Sequence, residues 1–114
     1  MNKEKKKHIG VLVSFTVKSE RFHSNYERNR FYRGLYGWTQ IIRKKEIKYE
    51  YKREGLLNEI PHIKVDNSVF IVALNEFKRI LKYLKEWEDK VEFQTFKVLL
   101  TREQYKKLKR KVML

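Results

Sequence analysis

Apolar and polar positions change their period several times along the chain, and each change marks an element. After His8, the residues Ile9, Val11 and Val13 alternate with Gly10, Leu12 and Ser14 and lead into Phe15 and Val17. A mostly apolar run this rich in β-branched residues predicts a central strand. Ser19 is placed to cap a helix reaching about Tyr36, with Phe22, Tyr26, Phe31 and Leu35 as an imperfect apolar stripe among Arg21, Arg28, Arg30 and Arg33. Gly34 and Gly37 let the chain turn. Between Trp38 and Lys52, Ile47, Tyr49 and Tyr51 alternate with Glu46, Lys48, Glu50 and Lys52, which predicts a half-exposed second strand. Residues 53–64 hold Gly55, Asn58 and Pro61 and read as a connection.

Ser68 to Ala73 is almost wholly apolar, as a strand covered on both faces requires, and is expected at the centre of the sheet. Asn75 is a good cap for a helix in which Phe77, Ile80, Leu81, Leu84 and Trp87 fall at three- and four-residue intervals. Its outer side is self-neutralising, because Lys82 precedes Glu86 and Lys85 precedes Asp89 by four residues. Val91 to Leu100 reads as a further strand. Thr101 with Gln104 forms a capping box for a last helix carrying Tyr105, Leu108 and Val112. The order β-α-β-β-α-β followed by a helix predicts a ferredoxin-like α+β sandwich with an additional C-terminal helix.

With 114 residues there is room for one domain and one modest core. Residues 1–7 read as a flexible basic arm and residues 8–114 as a single domain. Apolar content of 41% argues for folding despite 37% charged residues. Cysteine is absent, which removes disulfides, thiolate metal sites and cysteine nucleophiles together. No apolar run approaches a membrane span, so the reading is of a soluble, cytoplasmic protein without a membrane partner.

Charge changes the picture more than any other property. Lys and Arg number 28 against 14 Asp and Glu, a formal net charge of +14, and self-repulsion of that size suits a polyanionic partner. The excess falls in three blocks: the arm with Lys5, Lys6 and Lys7; the second-strand region with Arg43, Lys44, Lys45, Lys48, Lys52 and Arg53; and the last helix with Lys106, Lys107, Lys109, Arg110 and Lys111. Phosphate-backbone binding needs such clusters, since each neutralised phosphate releases counterions. Aromatic residues lie among the cations, and Arg33, Tyr36 and Trp38 complete the predicted nucleic-acid-binding set. Unpaired bases can stack on such rings, which favours RNA over DNA.

Two short stretches resemble known families. Arg33-Gly34-Leu35-Tyr36-Gly37-Trp38-Thr39-Gln40-Ile41 resembles the signature of the RNA-recognition motif, with Leu35 inserted and at the exit of the first helix instead of on a third strand. Asp66-Asn67-Ser68-Val69-Phe70, in a small basic protein of this strand and helix order, resembles the second strand of the CRISPR-associated Cas2 family. That family implies a metal-binding Asp at the end of strand one, where this chain has Ser14-Phe15-Thr16-Val17.

Catalytic signals are sparse. Two-metal chemistry needs carboxylates converging on a pocket, whereas Glu86, Glu88, Asp89 and Glu92 read as a solvated helix end, and His23 with Glu27, or His62 with Asp66, are isolated pairs. No phosphate-binding Gly loop, nucleophile elbow or zinc-protease motif is present. The expected function is therefore non-enzymatic binding of nucleic acid, RNA first, in a ribonucleoprotein such as the ribosome, with no cofactor and no metal. The rival expectations are a Cas2-like or metal-independent nuclease, and a homodimeric interaction module whose basic surface is incidental.

Overall fold

The computed structural model of the chain describes residues 8–109. The first strand, β1 (Ile9–Val17), pairs antiparallel with β5 (Val69–Ala73) on one side and with β6 (Val91–Leu99) on the other. A short strand, β4 (His62–Asp66), adds to β5, so the main sheet has the order β4-β5-β1-β6 with every neighbour antiparallel. The apolar run around Phe70 is thus an inner strand, as its composition predicts.

Strand alternation sorts the two faces of this sheet. On one face Val11, Val13, Phe15, Phe70 and Val72 meet Phe31 and Leu35 of α1 (Asn25–Tyr36) and Ile80 and Leu84 of α3 (Phe77–Glu86), all buried. Leu57, in the short α2 (Leu56–Glu59), and Ile60 close the same core. Phe31 is its hub: Phe15 and Trp87 meet it edge-on at 5.5 Å, and Tyr83 stacks on it at 5.8 Å while donating a hydrogen bond to its carbonyl. On the opposite face, Leu108 and Leu100 pack over Gly10 beside Ile71. Leu108 is carried there by α4 (Arg102–Lys106), which starts at the predicted Thr101–Gln104 capping box, with both reciprocal hydrogen bonds formed.

Several elements depart from the sequence expectation. The last helix, expected to carry Leu108 and the basic tail block, ends at Lys106, so Lys107, Leu108 and Lys109 follow it. Helix α1 begins at Asn25, because Ser24 caps it through the Glu27 amide and the Glu27 carboxylate reaches back to the His23 amide. Ser19 starts only a single 3₁₀ turn over Ser19–Arg21. Likewise Leu74–Glu76 forms a 3₁₀ turn, and α3 starts from Glu76 instead of Asn75. The largest departure is the stretch expected as one strand from Trp38 to Lys52. It folds back on itself as β2 (Trp38–Lys44) and β3 (Ile47–Arg53), a separate two-stranded sheet, while its expected place in the main sheet is taken by His62–Asp66, which begins inside the expected connection. The two-residue turn is Lys45-Glu46, with Lys45 at φ 57°.

Candidate nucleic-acid interface

The β2–β3 hairpin leaves the body through a tight crossing of backbone. Gly37 follows α1 at φ 80°, ψ 176°, a conformation that is essentially restricted to glycine. A Cβ there would lie 2.5 Å from Asn58 Oδ1 and 2.6 Å from the Arg53 carbonyl, and a Cβ on Gly55 would run into the backbone of Gly37 and Leu35. Asn58 Oδ1 accepts the Gly55 amide at 2.6 Å and seals the crossing. Both ends of the ribbon are therefore held by backbone packing at its root.

Beyond the root the ribbon has two chemically distinct faces. Cross-strand partners share a face, so Trp38, Gln40 and Ile42 lie with Arg53, Tyr51 and Tyr49, while Thr39, Ile41 and Arg43 lie with Lys52, Glu50 and Lys48. The aromatic rings all lie on the first face, which also carries Arg53 and, opposite Ile47, Lys44; the second carries Arg43, Lys48 and Lys52 with Glu50. None of the hairpin residues belongs to the hydrophobic core, and every residue of β3 is exposed. Tyr49 and Tyr51 keep 41% and 46% of their surface in solvent, which for large rings on one strand face is an uncovered apolar surface.

Cations frame these rings. The Arg33 guanidinium sits 3.9 Å over the Trp38 ring, and that of Arg53 sits 5.5 Å from the Tyr51 ring while its Nε donates to Gln40 Oε1 at 2.9 Å. Lys48 pairs with Glu50 at 3.3 Å. Among the described residues, Arg43, Lys44, Lys45, Lys52 and Arg53 have no carboxylate partner, so their charge is open to an external anion.

The other predicted residues fall in different places. Tyr36 belongs to the body: its ring packs against Phe15, its hydroxyl donates to the Asn67 carbonyl, and burial pushes that hydroxyl up to about 12. Lys106, Lys107 and Lys109 are exposed around the end of α4, where Lys109 lies over the Tyr105 ring and Tyr105 meets His8 at 4.8 Å. Lys107 and Lys109 line a groove with Asn58, Ile60, Pro61 and His62, the segment that follows the hairpin. The tail block is thereby brought beside the ribbon's root. Lys5, Lys6, Lys7, Arg110 and Lys111 lie outside the described residues.

The candidate catalytic pairs are engaged in the scaffold. Glu27 accepts from the His23 amide and pairs with Lys90 at 2.7 Å. Its carboxyl is held below the ordinary value chiefly by Lys90 and then by the His23 amide. His62 Nδ1 faces the Ile60 carbonyl at 2.8 Å. Among the described residues no three His, Asp or Glu side chains are grouped to hold a metal ion, and no helix is long and apolar enough to cross a membrane.

The chain matches no protein-family model, no curated protein and no solved structure. What the ribbon can do is therefore argued from its own chemistry. Tyr49, Tyr51, Gln40, Asn58 and the exposed Ile41 and Ile47 join the site from outside the predicted set. The alternation that placed Tyr49 and Tyr51 on one side was readable, but the partner strand that supplies Gln40 and Ile42 was not, because nothing in Lys45-Glu46 advertises a turn.

Proposed function

We propose that this chain is a non-enzymatic nucleic-acid-binding protein whose preferred target is RNA, acting as a cytoplasmic component or accessory of a ribonucleoprotein such as the ribosome. The observation that carries this reading is the β2–β3 ribbon, which combines six cations with two carboxylates and leaves two tyrosine rings uncovered. Its cations, carried on both faces, suit phosphates, and its aromatic face suits unpaired bases, whose π-faces are free; a base–ring stack contributes ~1–3 kcal/mol. Tyr49 and Tyr51, two residues apart on a strand, are separated by about 6.8 Å, twice the stacked-base rise of ~3.4 Å, so they suit bases drawn out of continuous stacking. The scaffold that presents the ribbon is, on this proposal, a ferredoxin-like unit of β1, α1, β4, β5, α3 and β6 into which the hairpin is inserted after α1.

Charge reversal tests the proposal. Replacing Arg43, Lys44 and Lys45 by Glu should weaken binding of a single-stranded RNA, followed by fluorescence anisotropy, far more than the same change at Lys78, Lys82 and Lys85 on α3. Each lost phosphate contact should reduce the slope of log affinity against log salt by ~0.7. Equal losses from the two variants, or an affinity that stays flat with salt, would overturn it.

A further inference from the structure

We propose that two copies of this chain associate through the outer edge of β6, joining their sheets in the order β4-β5-β1-β6-β6-β1-β5-β4. The two edges of the main sheet are treated differently. β4 is five residues long, follows Pro61, carries the exposed Lys64 and is interrupted by a register shift between Lys64 and Asp66. Those features blunt an edge against further pairing. β6 shares only the exposed lysine, Lys97: its nine residues pair with β1 without interruption from Val91 to Leu99, and they contain neither Pro nor Gly. Among the described residues no strand lies on its other side.

The occupant that this edge fits is itself. The chain as a whole carries +14, so its basic blocks repel a second copy, but residues 91–99 hold one Lys and one Glu, with Glu92 paired to Lys18 at 3.5 Å. An edge of zero net charge is where so basic a molecule can meet its copy. The apolar positions set the register. Phe96 is 50% exposed and Leu99 76%, on opposite faces of the sheet. Placing a two-fold axis at Phe96 sets the two Phe96 rings against each other and Leu99 against the partner's Phe93, so both exposed side chains gain an apolar neighbour. Lys97 then lies against the partner's Thr95 and the two lysines are not opposed. Residues of equal parity pair throughout, so the helices of both copies stay on one side of the joined sheet.

Sedimentation of the full chain, freed of nucleic acid and held at moderate salt, should show a dimer. Phe96→Lys should weaken association at least about tenfold, whereas Val65→Lys on the blunted edge should leave it unchanged. Because the chain has no cysteine, Thr95→Cys supplies a single thiol beside the proposed axis. A short bis-maleimide should convert that variant to a covalent dimer and leave Val65→Cys monomeric. A wild-type monomer at every concentration, or cross-linking through residue 65 and not 95, would overturn the proposal.

Discussion

A methyl group on Gly37 would have to occupy space held by Asn58 and by the Arg53 carbonyl, in a backbone conformation that side chains disfavour. Gly37→Ala should therefore cost about 1–3 kcal/mol in denaturant unfolding, and it should loosen the ribbon's root at the same time. A second single-residue effect is electrostatic. Lys90 and the His23 amide hold the Glu27 carboxyl below its ordinary value of 4.5, so the folded state gains stability from this group above pH 4.5 and loses it as pH falls through the lower folded value. Lys90→Met removes the largest cause. Thermal unfolding followed from pH 6 to pH 3 should then show a shallower acid-side decline for the variant than for the parent chain.

At the level of elements, the hairpin is structurally dispensable to the body. Its residues contribute nothing to the core, and Trp38 and Arg53 are already cross-strand partners at its base. Replacing residues 39–52 by Asn-Gly, which favours the tight turn that joins paired strands, should leave the circular dichroism of the body and its melting temperature nearly unchanged. The same variant should lose most of its RNA affinity by anisotropy. How far these elements were legible follows from the kinds of signal they carry. The inner strands and α3 announced themselves by long apolar periodicity, and the Thr101–Gln104 capping box marked the start of α4. The hairpin did not. Its turn uses Lys45 at positive φ without Gly or Asn, so polar alternation ran on unbroken across two strands. β4 was hidden for the opposite reason, since Pro61 and Gly55 read as breakers while only Ile63 and Val65 mark an edge strand. Ser24-x-x-Glu27 did carry a capping signature for α1, and Ser19 competed with it. For the site, charge was legible from composition, whereas the gathering of Trp38 with Tyr49 and Tyr51 on one face needed the fold-back.

For the molecule as a whole, the described residues extend 71 × 40 × 20 Å with a radius of gyration of 17.4 Å, against about 13 Å for a compact domain of 100 residues. On the proposed function, this elongation would let the ribbon and the tail block reach one polyanion at separate points. The pairing of β1 with β6 has a consequence for how such a molecule comes into being. β1 emerges before the other described strands during synthesis, yet both of its neighbours, β5 and β6, lie more than fifty residues downstream. The sheet cannot close on β1 until nearly the whole described chain has been made, and loop closure over that distance slows folding. The hairpin, whose strands are joined by two residues, needs no such wait. The cationic ribbon is thus able to pair its strands while the scaffold that will later hold it is still an open chain.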